Sequence, residues 1–381
     1  GHWYGWLGLA ITCVSIYGLS RCVQAARATR GEFASALAGS LGPEWAADLD
    51  PRWKRQDERL EWRRVATPFR FKRRGVERIR NIQYVDGDHI RRHRLDIYRS
   101  PDAGPGAPVL LQIHGGAWVI GNKEQQGLQL MNLLATRGWV CVAINYRLSP
   151  HYTWPDHIVD CKLAMKWIRA HIAEYGGDPD YVVATGGSAG GHLTALLGLT
   201  ANDPQFQPGF EAVDTSVRAM VPFYGVFDWT NRFGQRGKKD GLRSTVLERL
   251  VVKKKFEDAR EVFDQASPMS HVRPDAPPTL VVHGDSDTLA PVAEAREFVR
   301  MLRDVSHNPV VYVELKGAHH AFEIIQSIRS LETIAAVDEF LSWLLHHDAP
   351  RAVAELASPP ASPGPTASAA SDRTTTAHTA P

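Results

Sequence analysis

Ser188 is the residue best placed to act as a nucleophile, because it lies in the segment G-G-S-A-G at 186–190. The segment fits the pattern G-x-S-x-G, in which a serine occupies a sharp turn between a strand and a helix. An apolar run at 181–185 precedes it, and an apolar helical stretch at 192–200 follows. Small residues at 186 and 190 allow the turn to close, and the helix N-terminus favours negative charge near the serine. This arrangement predicts acyl transfer through attack of Ser188 on a carbonyl carbon.

Backbone amides that could hold the resulting oxyanion occur in the segment H-G-G-A-W at 114–118, directly after an apolar run at 109–113. Adjacent glycines can turn their amides toward an oxyanion, because no Cβ blocks the approach. We expect the amides of Gly115 and Gly116 to form an oxyanion hole with the amide of Ala189, which follows the nucleophile.

An acid and a base follow two later apolar runs. The segment H-G-D-S-D at 283–287 comes after the run at 279–282 and contains two aspartates. Asp285 follows the glycine closely and is expected to shape the turn, whereas Asp287 reaches further beyond the strand end. We therefore expect Asp287 to orient a histidine and to stabilise its protonated form. After the run at 310–315 come His319 and His320, and one of these takes the proton from Ser188.

These side chains can meet only if the apolar runs form one sheet. Continuous apolar runs are typical of parallel strands that are buried on both faces, and helical spacing of apolar residues separates them at 158–172 and 292–302. The alternation predicts an open, doubly wound α/β sheet flanked by helices. The serine turn and the chain order Ser, Asp, His are those expected for the α/β-hydrolase fold, which implies a mostly parallel eight-stranded sheet. The predicted strands are 78–84, 93–98, 109–113, 140–145, 181–185, 219–222, 279–282 and 310–315.

Segments outside this alternation suggest how the chain is organised. The catalytic domain is expected at 76–346, with an insertion at 226–265 that contains a helical stretch at 245–254. An insertion between strands would lie over the strand ends, where ligands bind in such sheets, and would form part of a helical cap. Residues 21–75 are expected to form a connection and the N-terminal part of the cap. Residues 347–381 are rich in Pro, Ala, Ser and Thr and are predicted to be a disordered tail.

Residues 1–20 form an apolar segment, uncharged from Trp3 to Ser20, and Arg21, Arg27 and Arg30 follow it. This length nearly spans a bilayer core, so we interpret the segment as a membrane anchor, and the arginines favour a cytoplasmic catalytic domain. Two other interpretations remain: a helix that covers the pocket of a cytoplasmic enzyme, and a cleaved signal peptide. No small-x-small cleavage site follows the segment closely, which weakens the last interpretation.

Composition excludes several classes of partner. The net charge is only +2, with 44 Lys and Arg against 42 Asp and Glu, so a nucleic acid is not indicated. The four cysteines, at 13, 22, 141 and 161, lack the spacing of a metal site or of a disulfide framework. Acyl transfer by a serine needs neither a metal nor an organic cofactor, and none is predicted. The expected partner is a small-molecule or lipid ester.

Taken together, the motifs resemble the hormone-sensitive-lipase branch of the α/β-hydrolases, which contains bacterial carboxylesterases. The resemblance covers residues 76–346, and it implies a carboxylesterase for short- to medium-chain acyl esters. In this family an aromatic residue lies two positions after the catalytic histidine, which assigns the base to His320 rather than His319. The resemblance rests on H-G-G-A-W, N-Y-R-L-S-P at 145–150, G-G-S-A-G-G-H-L at 186–193, H-G-D-S-D and G-A-H-H-A-F at 317–322.

Three positions depart from the family pattern: Gly187 stands where many members have Asp, His192 where they have Asn, and Ala117 where they have a third glycine. Residues 173–179 also resemble prenylcysteine methylesterases and kynurenine formamidases. A hydrolase of amides or formamides is therefore an alternative function. A second alternative, from another class, is a non-catalytic ligand-binding module, as in the gibberellin receptors of this family; the combined presence of Ser, Asp and His argues against it.

Overall fold

One twisted sheet of eight strands forms the centre of the protein. The computed structural model describes residues 3–47, 49, 61–85, 87, 91–237 and 240–357, with side chains as far as residue 348. The strand order is β1-β2-β4-β3-β5-β6-β7-β8; β1–β2 and β2–β4 pair antiparallel and the remaining pairs are parallel. The strands are β1 (Glu77–Gln83), β2 (Arg94–Arg99), β3 (Ala107–Ile113), β4 (Val140–Ile144), β5 (Gly177–Gly187), β6 (Ala219–Phe223), β7 (Thr279–Gly284) and β8 (Val310–Leu315). The predicted eight-stranded, mostly parallel sheet is confirmed.

Helices cover both faces of this sheet. The α-helices are α1 (Trp3–Leu41), α2 (Trp62–Val65), α3 (Leu128–Thr136), α4 (Asp156–His171), α5 (Ala189–Leu199), α6 (Arg260–Gln265), α7 (Val292–Val305) and α8 (Ile328–Ala357). Short 3₁₀ turns lie at Ile172–Tyr175, Pro204–Phe206 and Pro268–His271, and a π-helix spans Leu242–Val251.

The packing of the core follows from the alternation of side chains between the two faces of the sheet. Successive side chains of β3 point to opposite faces, so Val109 and Leu111 pack with α4 and α5, whereas Leu110 packs with α3 and α8. Every residue of β4 is buried, as expected for a strand covered on both faces. This layering holds the carboxyl ends of β3, β5, β7 and β8 at one edge of the sheet.

Helix α1 contacts the protein with its second half only. Burial begins at Ala25, and Phe33 and Leu37 pack into the core beside α8. All side chains from Trp3 to Gln24 are exposed. By length and composition, α1 is able to cross a membrane.

The insertion between β6 and β7 contains the π-helix and α6, and Leu247, Val251 and Phe263 from these two helices join the core cluster on the α4–α5 face. The helical backbone there spans Leu242–Val251, close to the stretch predicted at 245–254.

Helix α8 changes the expected end of the folded chain. Its backbone continues to Ala357, whereas 347–381 was expected to be a disordered tail. Residues 351–357 contain no Pro or Gly and are rich in Ala, Glu and Leu, which favour helix. The Pro-rich residues 358–381, to which the rest of that prediction applies, lie outside the described residues.

Candidate active site

Ser188 lies on a strained turn between β5 and α5. Its backbone has φ 59° and ψ −121°, in a region that non-glycine residues rarely adopt. The turn passes so close to β3 that a Cβ on Gly190 would lie 2.2 Å from the Ile113 carbonyl oxygen. Glycine at this position therefore allows the approach, and the serine hydroxyl is presented at the carboxyl edge of the sheet.

Three side chains from three loops meet at this edge. His320 Nε2 lies 2.9 Å from Ser188 Oγ, and His320 Nδ1 lies 2.6 Å from Asp287 Oδ2. Because the carboxylate only accepts, Nδ1 carries the proton and Nε2 is left to accept from the serine hydroxyl. Nε2 of His320 is thus positioned to accept a hydrogen bond from the Ser188 hydroxyl.

Asp287 is buried and receives several hydrogen bonds. Its Oδ1 accepts from the amides of Leu289 at 2.8 Å and Ala290 at 2.9 Å, and His283 Nε2 lies 3.4 Å from its Oδ2. Burial alone would raise the pKa of Asp287, but the interactions with His283, His320 and the Ala290 amide outweigh burial and hold the pKa well below its usual range. The side chain therefore stays ionised beside His320.

The competing aspartate and histidine lie elsewhere in these two loops. Asp285 is exposed, and its Oδ1 accepts from the Gly317 amide at 2.6 Å, which ties the two loops together. His319 is exposed, and its Nδ1 donates to the Ser286 carbonyl oxygen at 3.0 Å. Neither side chain makes a described hydrogen bond to Ser188.

The amides of the H-G-G-A-W segment require a correction. The Gly115 amide, expected in the oxyanion hole, donates instead to Gln126 Oε1 at 2.6 Å. Within the described residues, the amides of Gly116, Ala117 and Ala189 have no acceptor. Ala117 has φ 51° and lines the same pocket as Ser188. The loop therefore offers its second and third amides, not its first.

Tyr224, Glu323 and Gln126 were not predicted from the sequence. The ring of Tyr224 packs on His320 with centroids 4.7 Å apart, and its hydroxyl donates to the buried Glu323. A Cβ on Gly187 would lie 2.6 Å from the Tyr224 hydroxyl, so an aspartate before Ser188 is incompatible with this tyrosine. The one signal in the sequence is an aromatic residue directly after β6, at the carboxyl edge.

His192, the second departure from the family pattern, joins the oxyanion segment to the insertion. It is fully buried; its Nδ1 accepts from the Trp118 indole at 3.2 Å and its Nε2 donates to the Ala266 carbonyl at 2.7 Å. Burial lowers the pKa of His192 to about 3, so the ring stays neutral and both hydrogen bonds persist. His192 is therefore a structural contact between α5, Trp118 and the chain that follows α6.

A pocket of about 700 Å³ opens beside Ser188 and His320. Much of its wall comes from the insertion, with Val226, Leu242 and Val246 providing apolar surface. Leu289 and Pro291 from the Asp287 loop also line the pocket. The volume suits a small organic ligand. Within the described ranges, no cluster of His, Cys, Asp or Glu is arranged to hold a metal ion.

Comparison with known proteins gives the family of the chain. Residues 95–302 match the BD-FAE family. The Mycobacterium tuberculosis protein named "Probable carboxylic ester hydrolase LipM" is 46% identical over 348 residues, which cover 88% of this chain and 77% of the relative. The chain is an α/β-hydrolase esterase of the BD-FAE family.

Two further relatives of this esterase are informative. Esterase LipQ of M. tuberculosis is 45% identical over 294 residues, covering 76% of this chain and 68% of LipQ. Among solved structures, native Est2 of Thermogutta terrifontis, a thermophilic esterase, superposes with a TM-score of 0.57 at 26% identity, covering 74% of the esterase and 96% of Est2. These relatives favour neither the amide hydrolase nor the non-catalytic binding module.

Proposed function

We propose that the esterase cleaves carboxylic esters through a covalent acyl-enzyme, with Ser188 as nucleophile, His320 as general base and Asp287 as the group that orients the histidine. The observation that carries this proposal is the continuous path from Asp287 Oδ2 through both ring nitrogens of His320 to Ser188 Oγ, at 2.6 and 2.9 Å. Ser188 attacks the ester carbonyl while His320 takes its proton. His320 then gives the proton to the leaving alcohol, and water releases the acid by the reverse steps.

The amides of Gly116, Ala117 and Ala189 would stabilise the negative oxygen of both tetrahedral intermediates. Ala189 is the first residue of α5, so its amide is one of the unpaired donors at a helix N-terminus. We expect the Gly115 amide to act indirectly, because its bond to Gln126 fixes the loop that presents the next two amides.

The acyl group is proposed to be short to medium in length. The pocket beside Ser188 has apolar walls and the volume of a small ligand, and the insertion at 226–265 is proposed to be the cap that limits its depth. Est2 of T. terrifontis has been solved with propionate and with butyrate bound, which supports short acyl groups for a structural relative.

Replacing Ser188 by Ala tests this function. We expect a fall in kcat on nitrophenyl esters of at least about 10⁴-fold and loss of labelling by a fluorophosphonate probe, since the bond-forming oxygen is gone. Ser306→Ala, at the end of α7, is the control and should keep both. Retention of labelling in Ser188→Ala would overturn the proposal. Faster turnover of aryl formamides than of esters by the unaltered protein would instead favour a formamide hydrolase.

We also propose that the first half of α1 anchors the esterase to a membrane. The segment is uncharged from Trp3 to Ser20, its side chains are exposed on all sides, and charged residues begin at Arg21. An exposed apolar surface of this extent has a high cost in water, and a bilayer core removes that cost. The arginines after the segment support a cytoplasmic catalytic domain.

A further inference from the structure

The direction of α1 relative to the sheet is fixed by two contacts. Ser40, near the end of α1, donates to the carbonyl oxygen of Val310 at the start of β8 (3.4 Å). Glu32, earlier in α1, accepts from the amide of Lys316 just after β8 ends (3.3 Å). Helix α1 therefore runs antiparallel to β8. Its residues before Glu32 extend past the carboxyl end of that strand.

That end of the sheet is the edge that carries Ser188, Asp287 and His320. At 1.5 Å per residue, the step from Glu32 back to Ser20 is about 18 Å, and the uncharged segment continues for about 27 Å more. The apolar half of α1 thus projects from the same side as the active-site pocket. The interval of about 18 Å leaves room for one layer of helices, each about 10–12 Å across, such as the insertion over the pocket.

Exposed apolar side chains elsewhere concentrate at the same edge. Outside α1, seven large apolar side chains of the described residues are exposed. Five lie in loops or in the insertion at the carboxyl edge: Phe69, Ile120, Phe233, Leu289 and Ile325. Phe69 lies at this edge because its neighbours bond Gln326, the residue after Ile325. Gln326 donates hydrogen bonds to the carbonyl oxygens of Thr67, Pro68 and Arg70. Trp62 lies in α2 shortly before Phe69, and Val305 lies at the opposite edge, at the end of α7.

Cationic side chains line a groove between the uncharged half of α1 and this edge. Arg21 from α1 and Lys316 from the loop after β8 line a cavity of about 730 Å³. Arg329 also lines it, but its side chain is buried, with the carboxylates of Glu32 and Asp285 nearby. His319 lines the groove and its neighbour His320 lines the catalytic pocket, so the groove adjoins the active site. Basic residues at this level suit the anionic head groups of a bilayer surface.

We propose that the catalytic edge of the esterase faces the bilayer that holds α1, so that the pocket opens toward the lipid phase and takes esters dissolved in the membrane. This inference rests on the proposed anchoring by α1. The orientation comes from α1 running antiparallel to β8. The apolar side chains at the edge supply the contact with lipid, and Arg21 and Lys316 suit the anionic head groups.

The orientation can be measured on the full chain in vesicles of phosphatidylcholine and phosphatidylglycerol in equal amounts. Cys13 and Cys22 are exposed and are replaced by Ser, whereas Cys141 and Cys161 are buried and remain. A single cysteine is then introduced as Phe69→Cys, Phe233→Cys, Ile325→Cys or Val305→Cys and labelled with an environment-sensitive fluorophore. Val305 is the matched control, because it is 41% exposed against 47% for Ile325 but lies at the other edge.

Flotation of the vesicles first reports whether the protein is bound. We expect flotation, with fluorescence at 69, 233 and 325 quenched by spin-labelled lipids and fluorescence at 305 unchanged. Flotation with quenching at 305, or with no quenching at the three edge positions, would overturn the inference but leave the anchor. Absence of flotation would overturn both. Turnover of a water-soluble ester by the same samples reports on the catalytic proposal separately.

A kinetic measurement gives a second readout. The double variant Phe69→Asp with Ile325→Asp places charge in the proposed contact with lipid, and neither side chain lines the catalytic pocket. We expect it to lose turnover of an ester dissolved in vesicles while keeping kcat/KM for a water-soluble ester. Val305→Asp should keep both activities. Equal losses for the edge variant and the control, or no loss in either, would contradict the proposed orientation.

Discussion

The two oxygens of the Asp287 carboxylate bond different groups. Oδ1 accepts from two backbone amides and is held in place by them, while Oδ2 faces His320 and His283. Because the amides fix the rotation of the carboxylate, the oxygen that faces His320 is fixed as well. This arrangement defines which ring nitrogen of His320 carries the proton.

Asp287→Asn should therefore inactivate the enzyme without unfolding it. The side-chain oxygen of Asn would remain with the two amides, so its NH₂ group would face His320 Nδ1 and force the proton onto Nε2. A protonated Nε2 cannot accept from Ser188, and we expect kcat to fall by about 10⁴-fold. Turnover of a soluble nitrophenyl ester measures this, with circular dichroism to check the fold.

Asp285→Asn is the matched control for that variant. Asp285 accepts a hydrogen bond from the Gly317 amide and makes no described contact with His320, so the substitution of Asp285 should change kcat little. A loss of equal size in both variants would mean that the loop, and not the histidine tautomer, had been damaged.

Gln126 gives a test of the revised oxyanion hole. Gln126→Leu leaves the partly buried Gly115 amide without its acceptor, which costs up to about 1–3 kcal/mol and should displace the loop. We expect an approximately tenfold fall in kcat with little change in KM. Gln126→Glu keeps an acceptor oxygen and should stay near the unaltered value.

The alternative, in which the Gly115 amide itself binds the oxyanion, makes the opposite prediction. Gln126→Leu would then free the amide for catalysis, and kcat would stay constant or rise.

No sequence motif could have revealed the contact between Gln126 and Gly115, because Gln126 lies eleven positions after Gly115 and reaches it only in the folded loop. The same holds for Tyr224 and Gly187, which meet across two strands.

At the scale of elements, helix α8 carries a buried carboxylic acid, Asp338, next to Arg137, the residue that follows α3. Asp338 lies 3.3 Å from the guanidinium of Arg137, and no residue in the described part of the chain bonds its other oxygen. Burial raises the pKa of Asp338 to about 7, although the charge of Arg137 acts in the opposite direction. The native protein thus binds a proton that the unfolded chain releases near pH 4.

This difference predicts how stability changes with pH. Between about pH 4 and pH 7 the native state holds more protons than the unfolded state at this site, so the contribution of Asp338 to the free energy of unfolding falls as pH rises. Asp338→Asn should remove that decrease, as measured by urea unfolding at pH 5 and pH 8. Asp304→Asn, an exposed carboxylate on α7, should leave the decrease in place.

Elements whose own sequence has a clear apolar pattern could be predicted, whereas elements whose ends or type depend on contacts with the rest of the fold could not. The strands were found because buried parallel strands are continuously apolar, and the edge that carries the triad follows from their order. The end of α8 was missed, because the composition of the whole tail outweighed the helix-forming residues at its beginning. The π-helix at Leu242–Val251 has no sequence signature that separates it from an α-helix.

At the scale of the whole molecule, the first twenty residues are separable from the catalytic part. Of these, the described residues 3–20 have no buried side chain, since burial in α1 begins at Ala25. Deleting residues 1–20 should move the protein from the membrane fraction to the soluble fraction and leave kcat/KM for a water-soluble ester unchanged. A shift in the preferred acyl chain length after the deletion would instead support a helix that covers the pocket.

Helix α1 is continuous from Trp3 to Leu41, so the link between the bilayer and the catalytic edge is a rod and not a flexible chain. A rod holds the pocket at a set height above the lipid, and encounters between enzyme and substrate become lateral, in two dimensions. The rate would then follow the mole fraction of ester in the membrane, and adding inert lipid would slow turnover by surface dilution although the amounts of enzyme and ester stay the same.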